Sequence, residues 1–116
     1  MAVPADIEVR EIGTDQNGTK IYLLPQLAGR IPAYDPATLS PLQPIILTSP
    51  AASSAMNGNT IGVSQVDGEV VIYDAVTGSE QRRSNTGIAD GHGPVTHRFA
   101  TSLDGRLVAL AGKRLD

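Results

Sequence analysis

The chain has no cysteine and no tryptophan, and only one phenylalanine and three tyrosines among its 116 residues. Without cysteine there is neither a disulfide framework nor a thiolate metal site, although this leaves the compartment open. With so few aromatics the core must be built from Ile, Val, Leu and Ala. Positive charge is also scarce: nine Lys and Arg stand against twelve Asp and Glu, for a net charge of -3. The pairs Arg82-Arg83 and Lys113-Arg114 are too short to act as basic patches and read as solvated surface, so nucleic acid is not an expected partner. No apolar run approaches the ~18 residues that would suggest a membrane span. The opening MAVPADIEVREIG lacks the basic and then apolar order of a signal peptide. The expectation is a soluble, cytoplasmic chain forming a single β-repeat segment over residues 1–116, with no membrane partner.

Turn-forming residues, in contrast, are plentiful. Twelve Gly and eight Pro are spread along the whole length, which excludes long helices. The apolar stretches are short, β-branched and bounded by turn residues, which is the signature of strands. Three stretches resemble one another: IGTDQNGTKIYL at 12–23, ASSAMNGNTIGV at 52–63 and FATSLDGRLVAL at 99–110. They align on Gly18, Gly58 and Gly105, preceded by Asn17, Asn57 and Asp104. Asn-Gly and Asp-Gly favour the positive φ of tight hairpin turns. A hydroxyl stands before each turn (Thr14, Ser54, Thr101). Two apolar positions on one strand face follow it: Ile21 and Leu23, Ile61 and Val63, Val108 and Leu110.

A second element recurs. GRIPAYDPATL at 29–39 matches GEVVIYDAVTG at 68–78, so that Tyr34-Asp35 and Tyr73-Asp74 mark equivalent strand ends. Two markers per period of about 40 residues indicate a repeat architecture. The longer spacing from Gly58 to Gly105 is assigned to the loop-like SNTGIADGHGP. Each unit reads as an antiparallel four-stranded meander, the size of a propeller blade. The units fall at about 7–44, 45–84 and 92–116, the last incomplete. The expected fold is all-β, a partial β-propeller of about two and a half blades. A compact β-sandwich is the alternative, since both use antiparallel hairpins of similar length.

These residues resemble WD40-like propeller repeats. GHGPVTHRFATSLDGRLVALAG at 91–112 is similar to the opening half of such a repeat, with its Gly-His pair, Pro-Val-Thr strand entry and Ser-x-Asp-Gly-Arg-Leu turn. VSQVDGEVVIYDAVTGSEQ at 63–81 is similar to the closing half, with Tyr73-Asp74 in place of the usual Trp-Asp. The likeness is best over 60–112 and weaker over 7–59. In WD40 repeats a His, a strand Ser or Thr, the Trp and a turn Asp form a hydrogen-bonded group within one blade. The resemblance offers Ser64, Asp67 and Tyr73 as members here, but that unit has no His, and Gly91-His92 belongs to the next.

No constellation points to catalysis or to a cofactor. His92 and His97, near Asp90 and Asp104, lack the supporting ligands of a metal site. Ser102, His97 and Asp104 are close in sequence, but Ser102 belongs to the recurring turn. DQNGT at 15–19 and QVDGE at 65–69 lack the alternating acidic ligands of a calcium loop, and phosphate-cradling glycine motifs are absent. PATLSPLQPIILTSP, with Pro36, Pro41, Pro44 and Pro50, reads as an edge strand or an extended arm. The resemblance implies a non-catalytic scaffold that presents turns to other protein chains, possibly copies of itself. Asp67, Arg82, Arg83, His92 and Arg106 are the candidate contact residues. A small β-rich assembly subunit, such as a virion decoration or coat-associated protein, is the alternative.

Overall fold

A computed structural model describes residues 6–85, together with the backbone of residues 95–101 and 108–114. The described strands are β1 (Glu8–Thr14), β2 (Ile21–Gln26), β3 (Arg30–Tyr34), β4 (Pro41–Ile46), β5 (Ala51–Asn57), β6 (Thr60–Gln65), β7 (Glu69–Asp74), β8 (Glu80–Asn85), β9 (Val95–Thr101) and β10 (Val108–Arg114). They form two four-stranded sheets, in the orders β1-β2-β3-β4 and β5-β6-β7-β8, and a two-stranded sheet of β9 and β10. Every described pairing is antiparallel and joins strands that follow one another in sequence. The segment 36–50 supplies an edge strand rather than an arm: β4 runs along β3 as the last strand of the first sheet. Among the described residues no helix is long and apolar enough to cross a membrane.

The burial pattern follows from position in the sheet. The inner strands are apolar on both faces, as Tyr22-Leu23-Leu24-Pro25 and Val70-Val71-Ile72-Tyr73 show, and both runs are buried. β4 carries Pro41 and Pro44, which cannot donate to a further strand, and β8 is the polar run EQRRSN. Proline and charge on an edge discourage edge-to-edge pairing with other chains.

The hairpins differ more than their sequences do. In the second sheet Asn57 stands opposite Thr60, leaving a two-residue turn of Gly58 (φ 60°) and Asn59. In the first sheet Thr14 stands opposite Ile21, and a longer loop intervenes. The buried Asp15 carboxylate organises that loop. It accepts hydrogen bonds from the Thr19 hydroxyl and from the amides of Thr19 at 2.7 Å and Lys20 at 3.0 Å. Gly18, at φ 68°, closes the turn onto the Asp15 carbonyl. Thr101 stands opposite Val108, as Thr14 does opposite Ile21. Ser54 instead faces Val63, and Met56 takes the place opposite Ile61. Alignment on the glycines thus matches β2 to β6 but not β1 to β5, because the second turn is tighter.

The sheets stack face to face in chain order. One face of the first sheet (Tyr22, Leu24, Ile31, Ala33, Ile45) packs against Ile61, Val63, Val71 and Tyr73 of the second, with Leu47, Ala51 and Ala75 closing the cluster. Gly13 lets the sheets approach: a Cβ there would lie 2.7 Å from the Met56 sulfur. β9 packs against β5 and β6, so the second sheet lies between the other two. This is the stacking of propeller blades, not a sandwich of two sheets around one core. Full burial of an aliphatic side chain contributes about 1.5–3 kcal/mol, so the inter-sheet cluster is the main apolar contribution holding the first two sheets together.

Candidate interaction surface

The meander places its turns at two ends of the stack. One end carries the β1–β2 and β5–β6 turns and the Tyr-Asp turns after β3 and β7. The other carries the β2–β3 and β6–β7 turns and the link from β4 to β5.

At the first end, Asp35 and Asp74 build the same turn twice. The Asp35 carboxylate accepts the amides of Ala37 at 2.7 Å and Thr38 at 3.2 Å. Asp74 accepts those of Val76 at 2.8 Å and Thr77 at 3.1 Å. The side chain thereby imitates a backbone turn, which explains why Asp recurs there. Gly78 closes one turn at φ 76° and Leu39 the other at φ 59°, a conformation that costs an ordinary L-residue about 1–2 kcal/mol. Tyr34 and Tyr73 precede these turns and are both buried.

Three contacts bind the two sheets at this end. The Gln16 amide donates to Asn59 Oδ1 at 2.7 Å, Asn59 Nδ2 returns to Gln16 Oε1 at 3.3 Å, and the buried Tyr22 hydroxyl donates to the Ala75 carbonyl. Burial first, then the negative charges of Asp15 and Asp74, push the Tyr22 phenol up to about 12. Burial works to raise the Asp15 carboxyl, but its donors from Thr19 and Lys20 outweigh it and hold the group below its usual range.

The other end holds the candidate Asp67, exposed in the β6–β7 turn. Its carboxylate accepts the Glu69 amide at 3.0 Å and Gln65 Nε2 at 3.2 Å. Gln65 is fully buried, and its amide also exchanges hydrogen bonds with the Thr48 hydroxyl, at 3.0 and 3.3 Å. Arg83 Nη1 reaches the same hydroxyl at 3.0 Å and pairs with Glu80 at 2.7 Å. That hydrogen bond from Arg83 holds the Glu80 carboxyl below its usual range. Arg82 is exposed on β8, opposite Ile72.

Two candidate contact residues, Asp67 and Arg83, are therefore brought together through Thr48 and Gln65. His92 and Arg106 lie outside the described residues, as do the turn markers Asp104 and Gly105. Of the group that the family pattern implies, Ser64, Asp67 and Tyr73 lie among the described residues and His92 does not. Ser64 pairs with Val70 on the face away from Gln65, and Tyr73 lies in the inter-sheet core. At Asp67 a neutral amide, that of Gln65, with two donors and one acceptor, bridges hydroxyl and carboxylate. Thr48 and Gln65 are the residues that reading by motif misses. Their signal is the glutamine shared by QLAGR and QVDGE: Gln26 in the first unit accepts a hydrogen bond from Arg10.

No protein-family model matches the chain, and no curated protein matches it. Solved structures do. A chain in the crystal structure of the mitotic checkpoint complex is similar with a TM-score of 0.63 at 13% identity, over 93% of this chain and 32% of that one. The crystal structure of Saccharomyces cerevisiae Sqt1 is similar with a TM-score of 0.57 at 13% identity, over 88% of this chain and 27% of that one. Both are WD40 propellers, and the likeness is one of fold. The present chain spans about a third of their length or less.

Proposed function

We propose that this chain is a non-catalytic protein–protein interaction module, a scaffold of WD40-like propeller type working within a larger assembly. The observation that carries this reading is how the polar residues at the sheet ends are used. Asp15, Asp35, Asp67 and Asp74 are bound to backbone amides that shape turns. Cross-bonds such as Gln16–Asn59 fix the turns of neighbouring sheets relative to one another. Such an arrangement presents loops on a rigid frame, and recognition concentrates on loops so held. The similar chain in the mitotic checkpoint complex works within a protein assembly, which supports the same use here. The units at 7–44 and 45–84 supply turns to the two ends, and Asp67, Arg82, Arg83, His92 and Arg106 are the contact residues of this reading.

The test is retention of proteins from an extract by the immobilised chain, compared with Asp67→Lys and the double variant Arg82→Glu/Arg83→Glu. Each variant is first shown to keep the wild-type circular dichroism spectrum. The expected result is a defined set of proteins held by wild type and reduced at least about tenfold by one variant, the scale of losing a single well-placed contact. Retention of nothing above a blank surface, or identical retention by every variant, refutes the reading.

A further inference from the structure

The two Asn-Gly pairs of the described hairpins differ in how firmly their turns are held. Asn17 and Asn57 are both exposed. Asn57 ends β5, where it forms the last rung of the hairpin with Thr60. The turn beyond it is pinned twice through Asn59, whose carbonyl accepts the Ala75 amide at 2.7 Å and whose Oδ1 accepts the Gln16 amide at 2.7 Å. Asn17 belongs to no strand and lies in the loop between β1 and β2. Gly18 after it is exposed, and a Cβ added there would meet nothing within 4 Å. One backbone hydrogen bond spans Asn17, from the Gly18 amide to the Asp15 carbonyl at 3.1 Å. The bonds of the Asp15 carboxylate go to the amides of Thr19 and Lys20, so they hold the exit of the loop beyond Gly18.

We propose that Asn17 is a site of spontaneous modification by deamidation, that the fold protects Asn57 from the same reaction, and that conversion at Asn17 loosens the tie between the two sheets. The nucleophile is the Gly18 backbone nitrogen, which no Cβ shields. It attacks the side-chain carbonyl carbon of Asn17. The N–Cγ bond forms, the Cγ–Nδ2 bond breaks, and Nδ2 leaves as ammonia with the Gly18 amide proton. Water then opens the cyclic imide at either carbonyl, leaving aspartate or isoaspartate. The attack requires the asparagine backbone to turn until the next nitrogen meets its own side chain. In an extended residue that nitrogen is directed away, so Asn57 must first give up its rung with Thr60. Asn17 must release only the turn bond of Gly18. Either product adds a negative charge two residues from Asp15, and isoaspartate also inserts a methylene into the loop backbone. Gln16, the next residue back, is the one that exchanges hydrogen bonds with Asn59 across the sheets, so its position shifts with the loop.

The experiment incubates the full chain at mildly alkaline pH, folded and in concentrated urea, and follows both sites by peptide mass spectrometry. Tryptic cleavage after Arg10 and Lys20 isolates residues 11–20, in which Asn17 is the only asparagine. Fragmentation of the peptide 31–82 reports Asn57. In the folded chain Asn17 is expected to convert at least about tenfold faster than Asn57. Tenfold is equivalent to about 1.4 kcal/mol, the scale of the hydrogen bonds that Asn57 must surrender. In urea the two rates are expected to converge, since both asparagines precede glycine. Asn17→Gln, whose longer side chain closes the ring poorly, is expected to keep the circular dichroism spectrum and to remove conversion from residues 11–20. The converted chain, separated by anion exchange, is expected to exchange its Gln16 amide proton at least about tenfold faster than the parent, because that proton is the one held by Asn59. A smaller ratio in the folded chain, an equal preference for Asn17 in urea, or conversion of 11–20 that survives Asn17→Gln overturns the site. Unchanged Gln16 exchange in the converted chain overturns the loosening. Each of these failures leaves the scaffold reading standing.

Discussion

The phenol of Tyr22 couples the two described four-stranded sheets to alkaline pH. Its hydroxyl donates to the Ala75 carbonyl across the inter-sheet core, and its ionisation is pushed from 10.0 up to about 12 by burial and by the negative charges of Asp15 and Asp74. The folded value lies above the unfolded one. The corresponding stability is therefore fully present below pH 10.0 and is lost as pH rises through about 12. A shift of about two units corresponds to about 2.7 kcal/mol between those limits, at 1.36 kcal/mol per unit. Tyr22→Phe removes both the hydrogen bond and the titration. At neutral pH it is expected to cost about 1–2 kcal/mol, because the buried Ala75 carbonyl loses its phenol donor. For a domain this size that lowers the unfolding midpoint by roughly 4–8 °C. Between pH 10 and 12, however, the variant is expected to lose about 2 kcal/mol less than wild type, so the two stability curves converge and cross. The assay is urea unfolding followed by circular dichroism at intervals from pH 7 to 12. Burial also raises the Tyr73 phenol, but that residue is common to both proteins and cancels in the difference. Parallel curves with a constant offset would refute the coupling.

Further outcomes follow from the other buried groups and turns. Gln65→Leu, which strips Thr48 and Asp67 of their shared partner, is expected to cost about 1–3 kcal/mol in thermal or urea unfolding. Gln65→Glu brings a second carboxylate beside Asp67, and its loss of stability is expected to be larger at pH 7 than at pH 4, where one of the pair is protonated. Leu39→Gly relieves a positive φ and is expected to stabilise the chain by about 0.5–1 kcal/mol, the residual after the greater chain entropy of glycine. Leu24→Ala, in the fully buried inter-sheet cluster, is expected to cost about 2–5 kcal/mol.

Much of the frame is legible in the chain because β structure writes itself with a period of two. Ile21 and Leu23, or Ile61 and Val63, announce a buried strand face. The Asp of each Tyr-Asp pair announces its turn, because only a short acceptor reaches the amides two and three residues on. Pro41 and Pro44 mark an edge. What stayed hidden depends on distance in sequence or on conformations that the residue type opposes. Thr48 and Gln65 meet only once the β4–β5 link folds across the end of β6. Leu27 and Leu39 adopt positive φ, which leucine disfavours, so nothing in their identity announces it. The glycine alignment gave the strand faces correctly but the hairpin register wrongly in one unit, since Asn57-Gly58 supports a two-residue turn and Asn17-Gly18 a longer one.

The strictly sequential pairing of strands has a consequence for how the molecule opens. Each described sheet is made from one continuous segment, so its hydrogen bonds form without closing a long loop. Coupling between segments comes from the stacked faces, and stability is then approximately a chain of neighbour terms, as in a one-dimensional lattice. Among the described residues the middle segment has a neighbouring sheet on each side and the first has one. Amide protons of β6 and β7 are therefore expected to exchange with deuterium most slowly of all, and those of β1 and β4 to exchange early, with the molecule fraying from its flank toward its centre.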